Sequence, residues 1–126
     1  MNDDVTLAFA AETQNVSLAR TVSAAMSARA DLPLDQLEDV RLAVDEAVSQ
    51  LIVDAAPGAR ITCVFEVADG RLDITVSGTT ATGTTPSRDT FSWMVLSALV
   101  DDVTATVADT TVTLTMRVTR SASVGA

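Results

Sequence analysis

The 126-residue chain contains no histidine and no lysine, so all eight of its basic residues are arginines. The absence of histidine excludes Ser-His-Asp and Cys-His catalysis, His-ligated metal sites and phosphorylation on histidine. Any catalysis must therefore depend on carboxylates, hydroxyls or a bound ion. The single cysteine, Cys63, excludes an intrachain disulfide and a Cys-rich metal site. Its place in a strand-like run predicts a small buried apolar residue.

Long hydrophobic runs are also missing. Although 48% of the residues are apolar, no run approaches the roughly 18 residues that a membrane span needs. The first five residues are acidic where a secretory signal would be basic. We therefore expect a cytosolic protein with no membrane segment. The length fits one domain, residues 1–120, followed by a disordered tail at 121–126.

Positive charge is scarce, because eight arginines face seventeen acidic residues and give a formal net charge of −9. Nucleic-acid binding draws its affinity from Lys and Arg contacts with phosphates. We therefore expect no direct binding to DNA or RNA. A basic protein partner is easier to accommodate.

Hydrophobic periodicity predicts a strand and two helices in the first half of the chain. The strand covers residues 5–10, and a helix capped by Asn15 or Ser17 follows and runs to Arg29. The second helix begins at residues 34–36 and ends at residue 55, before Pro57-Gly58. The apolar stripe expected on the first helix consists of Leu18, Val22, Ala25 and Met26. On the second helix, the side expected to face a sheet consists of Leu37, Val40, Val44, Val48, Leu51 and Ala55.

The second half of the chain changes to a period of two. Residues 61–68 and 71–77 flank Asp69-Gly70, a strong signal for a tight hairpin turn. A polar loop over 78–89, a short helix from Phe91 and a second hairpin around Asp109-Thr110 complete the pattern. This order fits an α+β two-layer sandwich, with one mixed, mainly antiparallel sheet and helices packed on one face.

Glu46 and Gln50 lie four residues apart on the second predicted helix and so project from the same side. A carboxylate there can activate a hydroxyl or water, while the amide can hold a metal or phosphate. The alternative is that both lie on a solvated face. Leu42 and Val53 share their side of the helix, which predicts that this side is partly apolar and covered.

The string around this pair resembles the Glu-x-x-x-Asn box of the GHKL ATPases, with Gln50 at the Asn position. That family includes histidine-kinase ATP-binding domains, gyrase, Hsp90 and bacterial anti-sigma serine kinases. The resemblance implies that Glu46 is the general base and that Gln50 binds the nucleotide-associated magnesium. Glutamine adds a methylene and moves the carbonyl oxygen, which disfavours the near-ideal octahedral geometry that magnesium requires.

The family's two glycine boxes are altered. Gly78 and Gly83 remain where the family has Asp-x-Gly-x-Gly, but the adenine-reading acid is missing. Thr90 and Ser92 replace the glycines of the later Gly-x-Gly-Leu box, where backbone N–H groups approach phosphates. Nucleotide binding assigned by resemblance to Gln50, Gly78, Gly83, Thr90 and Ser92 is thus expected to be weak or absent, with ATP and Mg²⁺ as the possible cofactors.

The strings FSWMVLSALVDDV and LAVDEAVSQLI are most similar to actinobacterial anti-sigma factors within this family. The resemblance implies a homodimer that binds a stress-type or sporulation-type sigma factor, withholds it from RNA polymerase, and is antagonised by a STAS-type anti-anti-sigma protein. Arg20, Arg29 and Trp93 become candidate partner contacts, with surface ion pairs and core packing as their respective alternatives. An ATP-dependent serine kinase that phosphorylates the antagonist with Glu46 as base, or a degenerate domain with another partner, stays open.

Overall fold

A computed structural model describes residues 4–87 and 89–121. The elements, in chain order, are β1 (Val5–Ala10), a 3₁₀ turn (Thr13–Asn15), α1 (Val16–Arg29), α2 (Leu34–Val53), β2 (Arg60–Ala68), β3 (Arg71–Thr79), α3 (Phe91–Leu99), β4 (Asp102–Ala108) and β5 (Thr111–Thr119). The predicted strands and helices are all present. The tail expected at 121–126 lies outside the described residues except for Ser121, whose backbone N–H donates to the Gln36 Oε1 at 2.9 Å.

The five strands form one sheet in the order β1-β2-β3-β5-β4, and every pairing in the described residues is antiparallel. The sequence expectation had allowed a mixed sheet. Tight turns explain the strand directions of the two hairpins. Gly70 (φ 68°) turns β2 into β3, and Asp109 (φ 56°) turns β4 into β5.

The core lies between the helices and one face of the sheet. Alternate residues of the central strands point inward against α2, as the period-two pattern predicts. The fully buried residues include Ile61, Cys63, Phe65, Leu72, Ile74, Val76, Leu114 and Met116 from the sheet, and Val40, Ala43, Val44, Ala47 and Val48 from α2. Burial raises the pKa of the Cys63 thiol to about 12, which is consistent with the apolar role predicted for it.

Asp73 lies on the opposite, solvated face of the sheet, as the alternation of β3 predicts. Its carboxylate accepts from Arg117 Nε at 2.9 Å and forms an ion pair with Arg71 Nε at 3.2 Å. The hydrogen bond to Asp73 and the negative charge of that carboxylate raise the pKa of Arg117. Asp73 therefore forms its contacts on the outer face of the sheet. It lies near the start of β3, away from the loop that follows this strand.

The apolar stripe predicted for α1 was wrong for two of its four residues, because Leu18 is half exposed and Ala25 is exposed. Two serines are buried in their place. Ser23 Oγ donates to the Arg20 carbonyl at 2.7 Å, and Ser27 Oγ donates to the Ser23 carbonyl at 2.8 Å. Because these hydroxyls are satisfied by their own helix, they can be buried without an unpaired polar group. Asn15 forms no side-chain cap; its amide donates to the Ala10 carbonyl.

The cover expected over the Glu46 side of α2 is partial: α3 lies over Glu46, whose carboxylate accepts from Ser92, and the Gln50 amide is buried. Leu42 is 56% exposed and Val53 is 88% exposed, whereas the side facing the sheet is buried. The helix ends at Val53, two residues earlier than expected, and Ala55 pairs with Thr80 in an isolated bridge. None of the described helices has the length and apolar character that a membrane crossing requires.

Candidate functional site

The structure brings Glu46 and Ser92 together. Glu46 lies half-buried in the middle of α2, and Ser92 is the second residue of α3, which packs against α2. Ser92 Oγ donates a hydrogen bond to Glu46 Oε1. The carboxylate that the resemblance implicates as general base therefore already holds a serine hydroxyl of its own chain.

Thr90 closes the N-terminus of α3. Its Oγ1 accepts from the Trp93 N–H at 3.1 Å and donates to the Ser87 carbonyl at 2.8 Å. Backbone N–H groups at a helix N-terminus are the usual anion-binding groups, and a threonine cap satisfies one of them internally. The residue that replaces a family glycine thus occupies a donor that would otherwise point at a phosphate.

Gln50 follows Glu46 by one helical turn, and both polar atoms of its amide are buried without a hydrogen-bond partner among the described residues. Leaving a buried polar group unsatisfied costs about 1–3 kcal/mol. Gln50, Leu51, Val53 and Asp54 form the α2 side of a cavity of about 380 Å³. This volume lies within the range of small-molecule sites, about 300–1,000 Å³.

The other side of the cavity comes from the loop after β3 and from the start of α3. Its lining residues there are Thr80, Thr84, Pro86, Thr90 and Ser92. Four of these five carry hydroxyl groups and none carries a charge. The cavity therefore combines apolar methyl and methylene surface with weakly polar hydroxyls.

Two sets of hydrogen bonds fix the loop. Thr80 is buried, and its N–H and Oγ1 both donate to the Thr110 carbonyl in the β4–β5 turn, at 2.8 and 2.9 Å. The Gly83 N–H in turn donates to Thr80 Oγ1 at 2.9 Å. At the other end of the cavity, Asp54 Oδ2 accepts from Thr82 Oγ1 at 2.6 Å. The loop is thus attached to both the C-terminal hairpin and the end of α2.

Contacts within the chain account for Gly78 and Gly83. A Cβ on Gly78, which is buried in β3, would lie 2.7 Å from Ile61 Cδ1. Gly83 has φ 67°, and a Cβ there would lie 2.9 Å from the Asp109 carbonyl oxygen. The space beside each glycine is filled by the protein's own atoms, whereas a nucleotide-binding glycine leaves that space for the ligand.

The described residues of this cavity do not fit a magnesium-nucleotide in this arrangement. Magnesium favours carboxylates and phosphate oxygens in octahedral geometry, and no group of three or more acidic or cysteine side chains among the described residues could hold a metal. Gln50 offers one carbonyl oxygen. Asp54 is the one charged residue in the described lining, and its sign opposes phosphate. No arginine lines the described part of the cavity.

The three partner residues suggested by the sequence lie apart from this cavity's lining. Arg20 Nη1 is 3.3 Å from Asp45 Oδ2 on α2, in a partly exposed ion pair of the kind that contributes little to stability. Arg29 is exposed at the C-terminal end of α1. Trp93 is only 7% exposed, which favours the alternative of core packing, and its role as a partner contact stays a prediction.

Sequence reasoning missed the side chains of α3 that do face outward. Phe91 is 80% exposed and Met94 is 61% exposed. Leu42 precedes Glu46 by one turn and Phe91 precedes Ser92 directly, so exposed apolar groups flank the Glu46–Ser92 hydrogen bond. We call Leu42, Val53, Phe91 and Met94 the α2–α3 face. The sequence feature that could have indicated this face is that the helix from Phe91 carries apolar residues on all sides.

An antiparallel sheet covered on one face by three helices, with an acid on the central helix, is the α+β two-layer arrangement expected of a GHKL-like fold. The structure matches a crystal structure of the RsbU and RsbW domains of Rv1364c from Mycobacterium tuberculosis with a TM-score of 0.74. That match has 16% identity and covers 92% of this chain and 32% of that one, so it shows the fold alone.

Sequence similarity gives the particular relatives. The chain is 37% identical over 99 residues to the anti-sigma-F factor RsbW of Mycobacterium tuberculosis, covering 79% of this chain and 59% of the relative. It is 30% identical over 80 residues to the serine-protein kinase RsbW of Listeria innocua, covering 61% and 51%. No family model matches. The chain is therefore similar to RsbW-type anti-sigma factors over much of its own length, and it spans about three fifths or less of these relatives' length.

Proposed function

We propose that this chain is an anti-sigma factor. It binds an alternative sigma factor of stress or sporulation type, keeps that factor from RNA polymerase, and is antagonised by a STAS-type anti-anti-sigma protein. The observation that supports a binding role is the α2–α3 face, where Phe91 and Met94 of α3 and Leu42 of α2 expose large apolar side chains on two helices that are joined by the Glu46–Ser92 hydrogen bond. Contiguous exposed apolar groups commonly mark protein interaction sites.

Charge and similarity support a sigma factor as the occupant. The chain carries a net charge of −9, and DNA-contacting proteins carry Lys and Arg on the surfaces that meet phosphates. An acidic protein is complementary to such a surface. The relative from Mycobacterium tuberculosis is named an anti-sigma-F factor, so a sigma factor of that type is the first partner to test. We further expect a homodimer in the cytosol.

The hydrogen bonds already formed in the site, and the charge of its described lining, favour a binding role over catalysis. Glu46 accepts a hydrogen bond from Ser92, and Thr90 satisfies the Trp93 N–H at the start of α3. Phosphoryl transfer needs electrostatic stabilisation of the transferring group, and the described lining of the cavity offers no basic side chain. These contacts support a protein-binding module in which kinase activity is residual.

One observation favours a serine kinase as the second candidate. The group bonded to Glu46 is a serine hydroxyl, which is what a general base must bind in order to activate a substrate serine. A relative from Listeria innocua is named a serine-protein kinase. This function would require ATP and Mg²⁺ and displacement of Ser92. Transfer of labelled phosphate from ATP to a purified anti-anti-sigma protein, abolished by Glu46→Gln, would support it; no transfer by the unaltered chain would refute it.

The experiment for the anti-sigma role measures binding of a purified sigma-F-type factor by biolayer interferometry. Phe91→Ala and Met94→Ala remove exposed side chains from the α2–α3 face, while Val107→Ala, which removes a 45% exposed valine from β4, is the matched control. We expect the double variant at 91 and 94 to bind about 30-fold more weakly or worse, equivalent to about 2 kcal/mol. Val107→Ala should bind like the unaltered chain.

Two results would contradict this proposal. If the unaltered chain fails to bind sigma factors of this type at micromolar concentration, the function is wrong. If it binds but the double variant binds equally well, the anti-sigma role stands and the α2–α3 face is not the interface. Light scattering on the free chain tests the expected homodimer separately.

A further inference from the structure

The cavity beside Gln50 has a polar group that the fold leaves unused. Both the amide nitrogen and the amide oxygen of Gln50 are buried and have no partner among the described residues. Buried polar groups in native proteins are hydrogen-bonded in the great majority of cases, and an exception calls for a water, an ion or a ligand. An amide offers a donor and an acceptor side by side. Its natural complement is another donor–acceptor pair with the same spacing.

Most of the other polar groups in the described lining are already engaged, and Thr84, which forms no side-chain hydrogen bond there, is exposed. Ser92 Oγ donates to Glu46. Thr90 Oγ1 accepts from the Trp93 N–H and donates to the Ser87 carbonyl. Thr80 Oγ1 donates to the Thr110 carbonyl and accepts from the Gly83 N–H. Gln50 is therefore the polar group in the described lining that is most available to orient a ligand.

Charge limits the class of ligand. The carboxylate of Asp54 is the only charge in the described lining, and it accepts a short hydrogen bond from Thr82. Leu51, Val53 and Pro86 supply apolar surface to the same cavity. An anionic ligand would meet a carboxylate and no compensating cation in the described lining, whereas an uncharged ligand would bury apolar surface and pair with the amide.

We propose that this cavity binds a small uncharged molecule carrying a carboxamide or lactam edge, with the Gln50 amide as its hydrogen-bonding anchor. The cavity's volume, about 380 Å³, suits a molecule of one or two rings. This cavity shares Val53 with the α2–α3 face proposed for the sigma factor, but Phe91 and Met94 are not among its described lining residues.

Three matched probes test the ligand class on the full chain by ¹⁵N–¹H correlation spectra. Benzamide has the donor–acceptor edge, N,N-dimethylbenzamide lacks the N–H donors, and benzoate has the same ring with a negative charge. We expect benzamide to shift the backbone signals of Gln50, Asp54 and Thr80 with a millimolar dissociation constant, as suits a fragment of this size. The other two probes should bind at least fivefold more weakly.

Gln50→Leu tests the anchor, with Gln14→Leu as the control because Gln14 is an exposed glutamine outside the cavity. Gln50→Leu should weaken benzamide binding at least fivefold and raise the melting temperature by about 3 °C or more, since it removes an unpaired buried amide. Gln14→Leu should change neither.

The proposal is overturned if no probe shifts these signals at 10-fold molar excess in the millimolar range, or if benzoate binds as tightly as benzamide. It is also overturned if Gln50→Leu binds benzamide normally or melts at a lower temperature, because the amide would then be satisfied within the fold. The probe comparison needs only the unaltered chain, so it decides the ligand class even if Gln50→Leu fails to fold. Sigma-factor binding is measured independently and does not depend on either result.

Discussion

Gly78→Ala should destabilise the protein through one identifiable contact. The added Cβ would lie 2.7 Å from Ile61 Cδ1, whereas ordinary contact begins at 3.4 Å, so the two carbons must separate by about 0.7 Å. Overpacking of this kind costs about 1–3 kcal/mol, and the loss of glycine's freedom in the unfolded chain returns about 0.4–1 kcal/mol. These ranges leave a net loss of about 0–2.6 kcal/mol in the free energy of unfolding. Because Ile61 is fully buried and its end has little room to move, we expect a loss of about 1 kcal/mol or more.

A double-mutant cycle with Ile61→Val isolates this contact. Ile61→Val removes the clashing methyl and alone should cost about 0.5–1.5 kcal/mol. In the double variant the alanine methyl takes the vacated space, so the two effects should be non-additive by about 1 kcal/mol or more. Urea unfolding followed by fluorescence of the single tryptophan, buried Trp93, measures all four proteins. Additive losses, or a Gly78→Ala variant as stable as the parent, would refute the packing explanation of this glycine.

Two further predictions concern buried groups. Thr80→Val preserves shape but removes the hydroxyl that donates to the Thr110 carbonyl and accepts from the Gly83 N–H; we expect a loss of about 1–3 kcal/mol in urea unfolding, and an unchanged midpoint would show that these bonds contribute nothing net. Because burial raises the pKa of Cys63 from 9.0 to about 12, the native thiol should resist dithionitrobenzoate at pH 8 and react only on unfolding. The unfolded thiol ionises first, so stability should be unaffected below pH 9 and fall between pH 9 and 12 by at most about 1.4 kcal/mol per pH unit; rapid native labelling would contradict the burial.

The elements of the fold could be predicted because their signals are local. The Asp69-Gly70 turn lies between two alternating runs, and the structure forms β2 and β3 on either side of it. Burial on α1 could not be predicted in this way. Ser23 and Ser27 are buried because helix carbonyls satisfy their hydroxyls, while Leu18 is half exposed because nothing described packs over it. Hydrophobicity alone does not contain that information.

The sequence was enough to identify several residues of the candidate site, but it did not predict the contacts between them. The spacing of Glu46 and Gln50 placed both on one side of α2, but the partner of Glu46, Ser92, is 46 residues away in the sequence. For Trp93 the sequence left partner contact and core packing as alternatives; only the packing of α3 against α2 decides that Trp93 faces inward while Phe91 and Met94 face outward. Contacts between distant segments depend on tertiary geometry that a periodic pattern does not specify.

The attachment of Thr80 to the Thr110 carbonyl, together with the seating of Gly83 against Asp109, makes the loop after β3 and the β4–β5 turn one exchangeable unit. A chimera that takes this loop from a relative with an intact glycine box would leave behind the surface on which it rests. Grafting the loop together with residues 109–110 keeps the Thr110 carbonyl that accepts from Thr80 and the space beside Asp109 that Gly83 requires. Any attempt to rebuild a nucleotide site on this scaffold therefore has to begin at a hairpin turn that contributes no residue to the described lining of the cavity.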